Sequence, residues 1–110
     1  MTSTLPTWSA HAIDTLRRER EVSGRAYLEF LRVPSMDIGL YELAAGADDP
    51  QQPHDEDEIY YMISGRARLS VDCEDMPAEP RMVFYVAAGA QHCFHSITED
   101  LTLLVVFSGK

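Results

Sequence analysis

The stretch PQQPHDEDEIYYMISG, residues 50–65, places a histidine and four consecutive acidic residues directly before an apolar run rich in aromatic residues. A solvated acidic loop would explain the charges but not their spacing. His54 and Glu58 have the same parity, so their side chains lie on one face if the segment is extended. Tyr60 and Met62 continue that face. We interpret the stretch as the entry to a strand that carries functional side chains on one side.

Size and charge restrict the class of protein. The 110 residues suffice for one domain with one core, and 45% of them are apolar, as is usual in globular chains. The net charge is −9, and six of the eighteen acidic residues fall between Asp48 and Glu58. Since nucleic-acid binding depends on Lys and Arg, we expect no nucleic-acid partner. Arg17, Arg18 and Arg20 stand beside acidic residues and are interpreted as a solvated helix face.

The sequence indicates neither a membrane protein nor an exported one. The longest apolar run, residues 101–107, is far shorter than the roughly 18 residues that a membrane-spanning helix needs. The N-terminus lacks the basic start and apolar block of a secretion signal. We therefore expect a cytoplasmic protein with no membrane partner, in which Cys73 and Cys93 stay reduced.

The residue pattern predicts a mainly β fold with a short N-terminal helix. Ile13 and Leu16 lie three positions apart with charges elsewhere in residues 10–21, which indicates a short amphipathic helix. After Gly24, short runs rich in β-branched and aromatic residues alternate with turn residues. Regularly spaced strands of this kind form sandwiches or barrels and not βαβ units. The predicted strands are residues 26–33, 36–43, 58–63, 66–71, 81–86, 92–97 and 101–107.

A second predicted strand carries His92 and Phe94 on one face. If this strand neighbours the strand after His54 in a closed barrel, then His54, Glu58 and His92 can converge inside the barrel. Two imidazoles and one carboxylate leave open positions on a divalent metal ion, a set that suits Fe(II) and accommodates Zn, Mn or Ni. Gln52, of the same parity, offers an amide oxygen as a fourth ligand. The alternative is that both histidines are ordinary solvated residues.

Two segments resemble the two motifs of the cupin superfamily. Residues 46–65 read Gly-x5-Gln-x-His-x3-Glu-x6-Gly, and the first motif reads G-x5-H-x-H-x3-E-x6-G in one common form. Residues 81–96 carry Gly89 and His92 at the spacing of the second motif, G-x5-P-x-G-x2-H-x3-N. The chain departs from the motifs at Gln52, Arg81, Ala87 and Ser96. The resemblance implies a small all-β, single-domain cupin: a jelly-roll barrel, or double-stranded β-helix, over residues 26–110 after an N-terminal segment, residues 1–25, with the helix.

The resemblance also implies metal ligands and a class of function. The ligands would be His54, Glu58 and His92, with Gln52 in place of the first histidine of the motif. One divalent ion is expected, and this ligand set leaves Fe, Mn, Ni, Zn and Cu all open. Similar proteins include dioxygenases, isomerases and lyases, so we expect a metal-dependent enzyme that acts on a small organic molecule. The alternative is a non-catalytic module that binds a small molecule or a metal. Small cupins commonly pair, which predicts a homodimer.

Other side chains share the parity of these ligands. Tyr60 is the candidate catalytic residue, because its hydroxyl could orient a substrate or donate a proton. Met62 and Phe94 would form an apolar wall of a substrate pocket, although packing in the core fits their pattern equally well. Tyr41 is a further candidate for lining the barrel, with a parity relative to the site that the sequence leaves open.

Overall fold

One helix and six strands are found in the computed structural model of the chain, which describes residues 5–109. They are α1 (Ile13–Ser23), β1 (Tyr27–Val33), β2 (Met36–Leu43), β3 (Glu58–Val71), β4 (Glu74–Ala78), β5 (Val83–Val86) and β6 (His92–Ser108). The predicted β class with one short helix is confirmed. The helix begins later than the predicted residues 10–21, and Gly24 caps it with a φ of 73°. The predicted boundary at residue 25 stays a prediction, and part of the first segment, residues 1–4, lies outside the described residues.

The pairing of β3 with β6 forms the centre of the sheet. The strands form one sheet in the order β1-β2-β6-β3-β4, and β5 pairs with the first part of β3. In the β3–β6 ribbon, Glu58 lies opposite Phe107 at one end, and Val71 lies opposite His92 at the other. A straight ribbon of this length would separate its ends by roughly 40 Å. The side chains of Glu58 and His92 nevertheless approach to 3.0 Å, so the ribbon folds back on itself.

The fold-back is accompanied by an irregularity in the middle of the ribbon. The register of β3 against β6 shifts between Met62 and Arg68. Gly65, inside that interval, has a φ of 110°, and a Cβ there would lie 2.5 Å from the backbone oxygen of Asp100. Only glycine allows the two backbones this approach. The strands predicted over 58–63 and 66–71 are one continuous strand, β3, and those predicted over 92–97 and 101–107 are likewise one strand, β6. The prediction of four separate strands is therefore wrong.

The strand β4 is absent from the sequence-based prediction. It pairs with the second half of β3 across a two-residue turn at Asp72 and Cys73, which both have positive φ. Since β4 lies at the edge of the sheet, one side of its backbone faces no other strand, and the edge tolerates Pro77. Acidic residues and a proline resemble a loop in sequence, which explains why this strand was missed.

The inward faces of the strands form one core. Along the first part of β3, buried Tyr60 and Met62 alternate with exposed Ile59 and Tyr61, the pattern of a strand with one face on the core. Each large apolar side chain that is fully buried contributes roughly 2 kcal/mol to the free energy of unfolding. The fully buried apolar side chains with the largest volumes are Tyr60, Phe94, Leu40, Met62, Leu69, Leu101, Leu103, Val86 and Val105.

The helix docks on the barrel through one leucine and one carboxylate. Leu16 is buried, and Glu42 on β2 accepts hydrogen bonds from Arg17 Nε at 3.1 Å and from Arg20 Nε at 2.7 Å. The interpretation of these arginines as a solvated face holds for the exposed Arg18 but is incomplete for Arg17 and Arg20, which pair with a carboxylate on the barrel. Within residues 5–109, no helix combines the length and apolar composition that crossing a membrane requires.

Candidate metal centre

The structure brings three of the predicted ligands together. Glu58 is the first residue of β3, His92 is the first residue of β6, and His54 lies in the loop that enters β3. That loop is held by the backbone N–H of Gly89, which donates to the His54 carbonyl at 2.7 Å. One side-chain ligand atom from each of His54, Glu58 and His92 lies within 4.8 Å of the other two. The fold-back of the β3–β6 ribbon produces this convergence.

The carboxylate of Glu58 is buried without a hydrogen-bond donor. Its residue is 2% exposed, and neither Oε1 nor Oε2 has a hydrogen-bond partner among residues 5–109. His92 Nε2 lies 3.0 Å from Oε1, within ion-pair range but without the alignment of a hydrogen bond. A buried carboxylate that lacks donors is costly. The site therefore has the electrostatic character of a cation-binding site.

His92 has the hydrogen bonding that is typical of a metal ligand. Its Nδ1 lies 3.0 Å from the carbonyl oxygen of Ala90, which can only accept, so Nδ1 carries the proton. The other ring nitrogen, Nε2, faces Glu58. In metal sites, a ligating imidazole usually donates its second N–H to a backbone carbonyl or a carboxylate in this way. The Glu58 carboxylate raises the pKa of His92, as does the Ala90 carbonyl to a smaller extent, whereas burial works in the opposite direction.

His54 is half-buried and packs inside the barrel mouth. Its ring centroid lies 5.0 Å from that of Phe107 and 5.6 Å from that of His92. Its Nε2 lies 3.2 Å from the side-chain oxygen of Gln51. His54 is therefore oriented by an amide that the sequence analysis does not single out.

Tyr60 lies beside the three candidate ligands as a protonated phenol. Its hydroxyl donates to Gln51 Oε1 at 2.9 Å and lies 3.1 Å from His92 Nε2. Burial raises the pKa of Tyr60 far above its usual value, and the negative charge of Glu58 raises it further. The hydroxyl therefore keeps its proton throughout the physiological pH range.

Parity predicts that Gln52 faces the candidate ligands, but it is the neighbouring Gln51 that does so. Gln52 is exposed and lines a smaller depression that His92 also borders, whereas Gln51 faces His54 and Tyr60. The segment before β3 is not part of a strand, so strand alternation does not apply there. The structure does not bring Gln52 to the other three predicted ligands.

An open cavity of about 800 Å³ gives access to the site. His54, Glu58 and Tyr60 contribute to its wall, as does Tyr41. The predicted pocket residues Met62 and Phe94 belong to the hydrophobic core and are not among the lining residues. The contribution of the region around β1 has no signal in the sequence, because nothing in the motifs pairs that region with the candidate ligands. That region contributes Ser23, Arg25, Tyr27, Leu28, Glu29 and Arg32.

The fold and the site define a small β-barrel protein with a candidate mononuclear metal centre at its mouth. Residues 39–107 match the family described as Cupin domain, so the chain belongs to the cupin family. The resemblance seen in the two sequence motifs is thereby confirmed. The match begins in β2 and extends into β6, so it contains all three converging residues.

Similar proteins agree on the fold. The uncharacterized protein SCO3923 of Streptomyces coelicolor is 48% identical over 99 residues, which cover 90% of this chain and 94% of that protein. The structure of TT1209 from Thermus thermophilus is 27% identical with a TM-score of 0.69, covering 76% of this chain and 82% of the other. A structure of the DMSP lyases RdDddP and RnDddQII is 26% identical with a TM-score of 0.64, and the match covers 70% of this chain and 40% of the other.

Proposed function

We propose that the chain binds one divalent metal ion through His54, Glu58 and His92 and is a metal-dependent enzyme. Its substrate would be a small organic molecule, and the reaction would be of the dioxygenase, isomerase or lyase type. The observation that carries the proposal is the convergence of the buried Glu58 carboxylate with the imidazoles of His54 and His92 at the edge of an open cavity.

The donor set fits a divalent transition metal. Two imidazoles and a carboxylate suit Fe, Mn, Ni, Zn or Cu and leave positions open for a ligand. A cation between them would neutralise the Glu58 charge that the described residues leave without donors. When bound, such an ion would act as a Lewis acid on an oxygen atom of the substrate. The ion is therefore proposed to be needed both for activity and for the stability of the site.

Tyr60 is proposed to hold or donate a proton next to the ligands. Its raised pKa keeps the phenol protonated, and its hydroxyl lies 3.1 Å from His92 Nε2. A group placed there can donate a hydrogen bond to an oxygen on which negative charge develops. The cavity wall carries both signs of charge, since Glu29 and Asp37 form ion pairs with Arg32 and Arg25 also lines the wall.

One observation favours the non-catalytic binding module as a second candidate. The single proton of the Tyr60 hydroxyl is already donated to Gln51, so the phenol is satisfied without a substrate. A module of this kind would use the metal and the cavity only to hold a ligand. Against this alternative stands the likeness to a structure of DMSP lyases, which are enzymes.

The experiment that separates the two candidates counts turnovers. Metal-loaded protein at low concentration would be incubated with a mixture of small organic acids, alcohols and sugars, and the mixture followed by mass spectrometry. An enzyme converts many equivalents of one compound, and His92→Ala converts none. A compound that is retained in one equivalent and released unchanged would support the binding module. If the protein neither converts nor retains any compound in mixtures of increasing range, both candidates fail.

The proposal also includes the predicted homodimer. The outer face of the sheet carries four exposed apolar side chains in direct register, since Ile59 lies opposite Tyr85 and Tyr61 lies opposite Val83. A second copy of the chain that packs on this face would remove these four side chains from water.

A further inference from the structure

The side-chain amide of Gln51 is fixed in one orientation. Its Nε2 donates to Asp49 Oδ2 at 2.7 Å, so its oxygen must face the other way. The oxygen accepts the hydrogen bond of Tyr60 at 2.9 Å and lies 3.2 Å from His54 Nε2. The amide oxygen of Gln51 therefore belongs to the same group of atoms as the three candidate ligands.

The spacing of these atoms matches the spacing of adjacent metal ligands. Metal–nitrogen and metal–oxygen bonds of about 2.1 Å place neighbouring ligand atoms about 3.0 Å apart at right angles and about 3.4 Å apart in a tetrahedron. His92 Nε2 and Glu58 Oε1 are 3.0 Å apart, and His54 Nε2 and Gln51 Oε1 are 3.2 Å apart. Both distances lie in the range expected for adjacent ligand atoms, although each is also an ordinary polar contact between the side chains.

We propose that the amide oxygen of Gln51 is the fourth protein ligand of the metal, a role that rests on the proposed metal site. An amide oxygen has two lone pairs. One of them accepts the Tyr60 hydroxyl. The other faces His54 Nε2 at 3.2 Å and would bind the metal when both side chains act as ligands. Gln51, and not the exposed Gln52, thereby takes the place of the histidine that the first cupin motif has and this chain lacks.

Asp49 strengthens this ligand without touching the metal. Its carboxylate accepts from Gln51 Nε2, and the negative charge there polarises the amide and increases the electron density on the oxygen. Asp49 is itself held by the Tyr41 hydroxyl at 2.6 Å and by the backbone N–H of Phe94 at 2.8 Å. The amide therefore has a charged support anchored to β2 and β6.

The exchange of an imidazole for an amide oxygen determines which metals are preferred. Two nitrogens and two oxygens form a harder ligand set than three imidazoles and one carboxylate. Imidazole suits Zn, Cu, Fe and Ni, whereas carboxylate and carbonyl oxygens suit Mn. The site should therefore discriminate less against Mn(II) than the three-histidine form of the motif would.

The test is calorimetric titration of metal-free protein with Mn(II) alone and Zn(II) alone. The variants are Gln51→Ala, Gln51→Glu and, as the matched control, Gln52→Ala. We expect Gln51→Ala to weaken Mn(II) binding by roughly tenfold or more, the scale seen when a metal site loses one supporting group. Gln51→Glu should strengthen it by a similar factor, because a charged oxygen binds a divalent cation better than an amide oxygen does. Gln52→Ala should bind like the unsubstituted chain.

The Glu variant separates a ligand from a merely positioning residue. If Gln51 only orients His54 and Tyr60, a carboxylate there would repel Asp49, lose the bond from Nε2 and weaken metal binding. That result, or a Gln51→Ala variant with unchanged affinity, overturns the inference. Because Gln51→Glu keeps the shape of the side chain, it decides the question even if Gln51→Ala does not fold. An unsubstituted chain that binds neither metal overturns the proposed metal site itself, which is a different and recognisable failure.

Discussion

At the scale of single residues, His92 is the residue on which the proposed metal centre depends most. Replacing His92 with alanine removes one candidate ligand and leaves Glu58 buried beside fewer partners. Metal affinity should fall by more than the roughly 10- to 100-fold that the loss of an outer hydrogen bond costs. Calorimetric titration with Zn(II) measures it.

The matched control for this substitution is His95→Ala. His95 lies on the same strand as His92, but its side chain bonds to Asp75 on β4 and is not among the candidate ligands. Its substitution should leave metal affinity unchanged. If the two alanine variants bind metal equally well, His92 is not a ligand and the proposed centre is wrong.

The identities of the converging residues could be predicted from sequence, whereas their supports could not. His54, Glu58 and His92 follow from motif spacing, because two of them begin strands and the motif fixes the distance to the third. Gln51 and the Ala90 carbonyl lie in loops, where parity carries no information about direction. The sequence therefore predicts the residue types of the site, and the structure supplies the bonds that orient them.

At the scale of elements, the bend of the β3–β6 ribbon is the feature that assembles the site. Gly65→Ala would place a Cβ 2.5 Å from the Asp100 oxygen at a φ of 110°. We expect the free energy of unfolding to fall by about 3 kcal/mol, from backbone strain and from steric conflict together. Thermal or denaturant unfolding followed by circular dichroism measures the loss.

Gly46→Ala serves as the control for backbone strain alone. Gly46 has a φ of 81°, and a Cβ there would meet nothing within 4 Å. Its substitution should cost about 1 kcal/mol, the scale of a left-handed backbone without a clash. Equal losses for the two variants would mean that the close approach at Gly65 contributes nothing to the fold.

The elements could be predicted where local pattern determines them. The strands β1, β2 and β5 follow from the alternation of apolar and polar residues. The continuity of β3 does not, because a Ser-Gly pair such as Ser64-Gly65 is equally typical of a turn between two strands and of a bulge within one strand. The acidic edge strand β4 and the pairing of α1 with Glu42 depend on contacts between segments far apart in sequence. Such contacts have no local signal.

At the scale of the whole molecule, buried tyrosines should make the protein sensitive to alkali. Burial raises the pKa of Tyr27, Tyr41 and Tyr60. Above the ordinary tyrosine pKa of about 10, the unfolded chain releases protons that the folded chain keeps, so stability falls as pH rises. For the fully buried Tyr60 the loss approaches about 1.4 kcal/mol per pH unit. Unfolding midpoints measured from pH 8 to alkaline values should decline steeply above about pH 10.

The Tyr60→Phe variant isolates this effect. It lacks the titrating group, so its stability should decline with a shallower slope above the same pH, whatever its stability at neutral pH. An identical slope in both proteins would show that Tyr60 does not keep its proton in the folded state.

The predicted homodimer is also a property of the whole molecule. Light scattering after size exclusion should give about twice the chain mass of 12.4 kDa. Val83→Lys, on the apolar outer face, should shift the mass to that of one chain, because a buried unpaired ammonium is costly. Val22→Lys, at an exposed position of α1, should not. A single-chain mass for the unsubstituted protein would contradict the homodimer.

The most direct test of the central claim is an anomalous difference map from a crystal of the protein loaded with Zn(II) or Mn(II). We predict one strong peak per chain, within bonding distance of His54, Glu58 and His92, with the Gln51 oxygen as the fourth protein atom around it. A peak on other residues, or full metal loading in solution with no peak among these side chains, would contradict the account.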